Sequence, residues 1–155
     1  TPDLYDVIIL DLVDPLEGGT AALLYTQEFY ALAKARLNSG GVLVTQSGPA
    51  GLLSFKECFT TIFNTLGTLF DHIKAVQVHV PAFQTLWGFT IVSDTAFPEV
   101  SEDDAELELA RRLSKKLKYL DGVSYSNMHS LLKFQRDGLR TENRINKDSD
   151  PVFMI

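Results

Sequence analysis

Tyr5-Asp6-Val7-Ile8-Ile9-Leu10 is an apolar run that stops at Asp11-Leu12-Val13-Asp14-Pro15. Its length and β-branched content are those of a strand buried on both faces, as in a parallel sheet. Two carboxylates, three residues apart, then stand where that strand leaves the sheet. In open α/β folds, ligands bind beyond the carboxyl ends of the strands. Paired acids at such a place suit a cation, or a proton that must be held or removed.

Outward from this stretch, strands and helices alternate. Leu16-Glu17-Gly18-Gly19-Thr20 reads as a loop, because two glycines after a proline allow unusual backbone angles and close approach to a ligand. Residues 24–37 read as a helix capped by Thr26. Phe29, Leu32, Ala33 and Leu37 form its apolar stripe, and Asn38-Ser39-Gly40-Gly41 stops it. Residues 41–46 are a second strand, ending in a loop at Ser47-Gly48-Pro49-Ala50-Gly51. Ser54 is placed to cap a second helix carrying Phe55, Phe59, Ile62, Phe63, Leu66 and Phe70.

Residues 71–80 and 86–93 read as two further strands, and the short connection between them favours an antiparallel pair. Ser101 opens an acidic first turn at Glu102, Asp103 and Asp104. Arg111, Arg112, Lys115 and Lys116 follow in the later turns, a charge order that suits the helix dipole. Leu120-Asp121-Gly122 is a turn, residues 128–135 a short helix, and the end is irregular. This alternation predicts an α/β sheet with right-handed crossovers.

The totals narrow the function. A chain of 155 residues suffices for one domain with a real core. Its 14 Lys and Arg against 20 Asp and Glu give a net charge of -6, which argues against nucleic acid and is compatible with cationic ligands. The single cysteine, Cys58, excludes an internal disulfide and a cysteine-based metal cluster. His72, His79 and His129 show no metal-ligand spacing, so no metal is expected. No apolar stretch approaches the roughly 20 residues of a membrane span, and no signal peptide stands out, so a cytoplasmic protein away from membranes is expected. Thr1-Pro2-Asp3-Leu4 leads into the first strand with no tail, which reads as a piece of a longer protein. Tyr25 and Phe29 read as helix packing.

Taken together, the strand, the acid pair and the closing hairpin resemble the polyamine aminopropyltransferases, the spermidine, spermine and thermospermine synthases. Asp11-Leu12-Val13-Asp14-Pro15 is similar to the D-x-x-D-P motif of that family. Leu16-Glu17-Gly18-Gly19, Leu24-Tyr25-Thr26 with Phe29-Tyr30, and residues 44–51 look most like the thermospermine synthase branch. So do His79-Val80-Pro81-Ala82-Phe83, Trp87-Gly88-Phe89 and Leu120-Asp121-Gly122. The Gly-rich nucleotide turn and the acidic residue that the family carries earlier are missing. The resemblance is therefore to the carboxyl-terminal half. It implies a fold class of α/β, the second half of a Rossmann-like S-adenosylmethionine-dependent transferase fold, with parallel strands and a closing antiparallel hairpin. Residues 1–122 would be the second half of the catalytic domain, and 123–155 an extension with a short helix and an irregular tail.

The resemblance also implies a reaction, transfer of an aminopropyl group from decarboxylated S-adenosylmethionine to a polyamine such as spermidine. The donor is a co-substrate, with no permanently bound cofactor. Asp11 would be the catalytic base and, with Gly18, Gly19 and Leu24, would contact the donor. Asp14, Gln46, Phe83 and Trp87 would bind the polyamine, Phe83 standing where many spermidine synthases have tyrosine. The full-length protein would be a homo-oligomer, a dimer or tetramer, and the fragment alone inactive. Two alternatives share the scaffold: a methyltransferase using S-adenosylmethionine, and a polyamine-binding homologue without catalysis.

Overall fold

The computed structural model describes residues 3–154. Thr1, Pro2 and Ile155, and with them the reading of an abrupt lead into the first strand, lie outside the described residues. The initial apolar run is strand β1 (Tyr5–Leu10). A 3-10 turn (Thr20–Tyr25) leads into helix α1 (Gln27–Lys34), whose N-cap is Thr26 accepting from the Phe29 amide. Strand β2 (Leu37–Pro49), helix α2 (Phe59–Gly67), strand β3 (His72–Val80) and strand β4 (Thr85–Ser93) follow. Helices α3 (Glu102–Arg112), α4 (Gly122–His129) and α5 (Lys133–Thr141) come last.

Among the described residues one four-stranded sheet forms, in the order β1-β2-β4-β3. β1 pairs parallel with β2, while β4 runs antiparallel to both β2 and β3. The expected hairpin is therefore present, and its second strand inserts between β2 and β3. β1, β2 and β3 all point the same way, so their carboxyl ends share one edge of the sheet with the start of β4.

Ile8, Leu43, Val92 and Ile73 make one cross-strand row. That row packs into the core with Tyr25, Tyr30, Ile62, Leu66 and Phe70 from the 3-10 turn, α1, α2 and its end. A second cluster, Ala50, Phe55 and Phe59, is closed by Phe134 and Leu139 of α5. The next row belongs to the opposite face, and there β1 departs from expectation. Ile9 is 71% exposed and Val7 56%, so the strand is covered on one face and not on both. β1 is also an edge strand, and among the described residues no strand pairs with its far side.

Other readings shift as well. The helix expected over 24–37 is only Gln27–Lys34, because Leu37 to Gly40 join β2: Leu37 pairs with Tyr5, and the Asn38 side chain donates through Nδ2 to Asp6 Oδ1 at 2.8 Å. Within α1 the buried residue is Tyr30, flanked by Phe29 and Ala33; Leu32, two positions on, faces solvent. Ser54 does not cap α2. Residues 51–58 wind in irregular turns that bury Phe55, and the helix starts at Phe59 after Cys58. The single helix expected at 128–135 is a break between two. Gln135 Oε1 accepts from the Leu132 amide and opens α5 as a new helix.

The last residues are part of the body. Gln135 is fully buried and donates to Ala50 O at 2.7 Å and Gln77 Oε1 at 2.6 Å. Among the described residues no helix is long and apolar enough to cross a membrane.

Candidate active site at the carboxyl edge of the sheet

The D-x-x-D-P segment leaves β1 at the edge where β2 ends and β4 begins. Gln46 sits at the centre of what gathers there, 4% exposed. A break in register between Gln46 and Gly48 marks a bulge in β2 opposite β4. Gly48 carries it with φ +83°, and a Cβ at that position would lie 3.2 Å from Cys58 Cβ. Both the backbone angle and the space call for glycine.

Every polar atom of the Gln46 side chain is engaged. Its Oε1 accepts from Trp87 Nε1 at 2.8 Å and from the Gly48 amide at 3.1 Å. Its Nε2 faces Tyr25 Oη at 2.5 Å, and Leu12 O and Asp14 Oδ1 at 3.1 Å each. The amide orientation follows from these partners: an indole N–H and a backbone N–H can only donate, so the oxygen must face them. Gln46 thereby ties β4, β2 and the acidic segment together, and it orients Asp14.

Tyr25 completes the network, and its role has no signature in sequence. Its side chain is fully buried, and its hydroxyl donates toward Val13 O at 3.1 Å and Leu12 O at 3.3 Å. Burial pushes the phenol up to about 12; the Gln46 hydrogen bond opposes this, and the Asp14 and Asp11 carboxylates add to it. The hydroxyl therefore stays protonated at neutral pH and remains a donor to the acidic segment. What read as helix packing is the peg that holds the segment between the two aspartates.

Asp14 is half-buried and bonded to Gln46; Asp11 is exposed and has no hydrogen-bond or ion-pair partner among the described residues. The two acids are thus differentiated, one fixed and one open. Trp87 is 7% exposed, with its N–H spent on Gln46. Phe83 lies against it at a centroid distance of 4.5 Å and is itself 53% exposed, so Phe83 presents the accessible aromatic face. Gly18 takes φ +78° in the exposed loop beyond the acids, with nothing within 4 Å of an added Cβ, and Gly19 donates to Leu16 O at 3.0 Å. Leu24 is half-buried and packs on the core cluster. Asp11, Asp14, Gln46, Phe83 and Trp87 come together at one edge; Gly18 and Gly19 flank it, and Leu24 lies below.

The arrangement offers carboxylates, a buried amide and an aromatic wall, which is the chemistry of a site for an alkyl ammonium ion. Among the described residues no three His, Cys, Asp or Glu side chains gather to hold a metal ion. A cleft of about 410 Å³ lies apart from this edge, between the β3–β4 hairpin and α4.

Residues 1–104 match the spermine/spermidine synthase domain family. The chain is 36% identical over 151 residues to a thermospermine synthase of Arabidopsis thaliana, covering 97% of this chain and 44% of that protein. It is also 36% identical over 153 residues to a polyamine aminopropyltransferase of Aeropyrum pernix, covering 97% and 48%. A spermidine synthase solved with the transition-state analogue AdoDATO superposes with a TM-score of 0.76 at 22% identity, over 91% of this chain and 46% of that one. That likeness gives the fold, a Rossmann-like α/β sheet. The chain spans about half the length of the curated relatives it matches.

Proposed function

Because this chain belongs to the spermine/spermidine synthase domain family, we propose that it forms the acceptor-binding half of an aminopropyltransferase acting on a polyamine. The observation that carries this reading is the unequal acid pair: Asp14 pinned by Gln46, and Asp11 open beside it. In the reaction, a polyamine nitrogen attacks the methylene next to the sulfonium of decarboxylated S-adenosylmethionine. A C–N bond forms, the C–S bond breaks, and methylthioadenosine leaves as a neutral thioether with the bonding pair. The leaving group is already activated, so what remains for the protein is to bring one nitrogen into line and free it of its proton.

An aliphatic amine has a pKa of about 10.4 and arrives protonated. Asp11 accepts that proton and aims the lone pair. Asp14, held still, keeps the chain in register by pairing with an ammonium. Gln46 acts through Asp14 rather than by touching the polyamine, since its own amide is fully occupied. Phe83 offers its open face to the methylene and ammonium groups of the acceptor, with Trp87 as its support. Asp11, Gly18, Gly19 and Leu24 contribute to the donor side, the loop closing over both substrates. By resemblance the acceptor is spermidine and the product thermospermine or spermine. We take residues 1–122 as the catalytic half proper and the remainder as its extension. The setting is cytoplasmic, in an oligomer of two or four copies.

The test is methylthioadenosine release by the full-length protein given decarboxylated S-adenosylmethionine and spermidine. Asp11→Asn should lower kcat by about 10²- to 10⁴-fold with little change in spermidine KM, whereas Asp14→Asn should raise KM. Unchanged turnover in Asp11→Asn would remove Asp11 from its role. A preference for S-adenosylmethionine with its carboxylate intact would defeat the reading as a whole.

A further inference from the structure

Residues 146–154 run from the end of α2 back to the acidic segment, and their hydrogen bonds are made by backbone groups or by the fully buried Asn146 side chain. Asn146 is 0% exposed and has all four polar groups engaged. Its amide N–H donates to Thr65 Oγ1 of α2 at 2.9 Å, and its carbonyl accepts from the Gln27 amide at 2.7 Å. Its Nδ2 donates to Tyr25 O at 3.0 Å, and its Oδ1 accepts from the Val152 amide at 2.9 Å. Between those bonds a tight turn closes at Lys147–Asp150, and the Asp148 amide donates to Glu28 at 3.1 Å. The segment then reaches the site. Met154 bridges to Leu16 in parallel register, its N–H donating to Pro15 O at 2.9 Å, and Val152 and Met154 pack on the cluster that includes Tyr25 and Leu12.

Resting on the functional reading above, we propose that this segment is a strap that positions the acidic loop, with Asn146 as its clip and the Met154 amide as its hold on Pro15. Besides Gln46, which bonds Leu12 O and Asp14, two further anchors hold the stretch that carries Asp11 and Asp14. From below, Tyr25 bonds the Leu12 and Val13 carbonyls, and Asn146 fixes the backbone of Tyr25 itself. From beyond, Met154 fixes Pro15, the residue after Asp14. An in-line displacement is sensitive to misplacement on the scale of one ångström. Asn146 and Met154 are thus positioning residues for a reaction whose atoms they never touch.

Met154→Pro removes the single N–H that meets Pro15 O; Met154→Leu keeps it along with an apolar side chain. Asn146→Ala opens the clip. In the full-length protein, assayed well below the melting midpoint, Met154→Pro should lose about tenfold in kcat/KM for spermidine, while Met154→Leu stays within about twofold of the parent. Deuterium exchange of residues 11–19 should quicken in Met154→Pro and Asn146→Ala, with exchange in β2 and β4 unchanged. A strap that served stability alone would lower the melting midpoint and leave the kinetics of the folded enzyme as they were; that result overturns the proposal. If the parent transfers no aminopropyl group, the functional reading fails by itself, and the exchange of residues 11–19 decides the strap: faster exchange upholds it, unchanged exchange ends it.

Discussion

Replacing the buried amide at position 46 by an acid tests the network from inside. In Gln46→Glu the Oε1 position still accepts from Trp87 and Gly48, but an oxygen takes the place of Nε2, 3.1 Å from Asp14 Oδ1 and 3.1 Å from Leu12 O. Two full charges at that separation repel by about 5 kcal/mol at an effective dielectric of 20. Keeping one proton on the pair at pH 7, against an ordinary glutamate pKa of about 4.3, costs about 4 kcal/mol, so protonation is the cheaper escape. At pH 5 the same proton costs only about 1 kcal/mol. The folded pKa of the introduced group is therefore raised. Its penalty is absent below the unfolded value near 4.3 and grows with pH up to the folded value. Urea unfolding of the full-length protein at pH 5, 6 and 7 reads this directly. Relative to the parent, Gln46→Glu should lose about 1 kcal/mol at pH 5 and about 4 at pH 7. Gln46→Leu strands the buried N–H groups of Trp87 and Gly48 at about 1–3 kcal/mol each, with no such pH dependence. Equal losses for Gln46→Glu at pH 5 and pH 7 would mean that the amide does not face Asp14, and the orientation argued for the site would be wrong.

Two further outcomes follow from the same structure. Gly48→Ala must hold a side chain at φ +83° with its Cβ 3.2 Å from Cys58 Cβ, and should cost about 1–3 kcal/mol in urea unfolding; a neutral result would show that the bulge does not need that angle. Glu142, its side chain 7% exposed, binds Arg144 and Thr60. Burial works against its charge, but those bonds outweigh it and hold the carboxyl at about 2, against an ordinary 4.5. A depressed acid stabilises above its unfolded pKa, so Glu142→Gln should lose about 1–3 kcal/mol at pH 7, half-exposed Arg144 being partly screened. The gap to the parent should close as pH falls from about 4.5 toward 2, and a gap that stays constant in acid unfolding would contradict the pairing.

β1 was legible to the residue, because an apolar run bounded by Asp11 and Pro15 leaves few alternatives. Its exposure was not, since the pattern of Tyr5 to Leu10 is that of a central strand, whereas among the described residues the face of Val7 and Ile9 stays open. Asp11, Asp14, Gln46, Phe83 and Trp87 are singled out by motifs, and they share an edge because β1, β2 and β3 run the same way while β4 returns between them. Asn38-Ser39-Gly40-Gly41 reads as a helix stop on local preference alone, yet pairing with β1 draws it into β2. Tyr25 and Asn146 escaped for one reason. Each is a polar group whose partners lie far along the chain, 121 residues apart in the case of their mutual bond, and no local spacing encodes that.

The placement of β4 has a meaning in time. During synthesis β3 leaves the ribosome before the strand that will seat it, and β2 cannot offer it a direct place, because the slot between them belongs to β4. β3 must wait some dozen residues, zip with β4 as a local hairpin, and dock onto β2 as a unit. Chain stalling after β2 is made but before β4 is complete would leave β2 with a bare edge ready to pair with a neighbour on the same polysome.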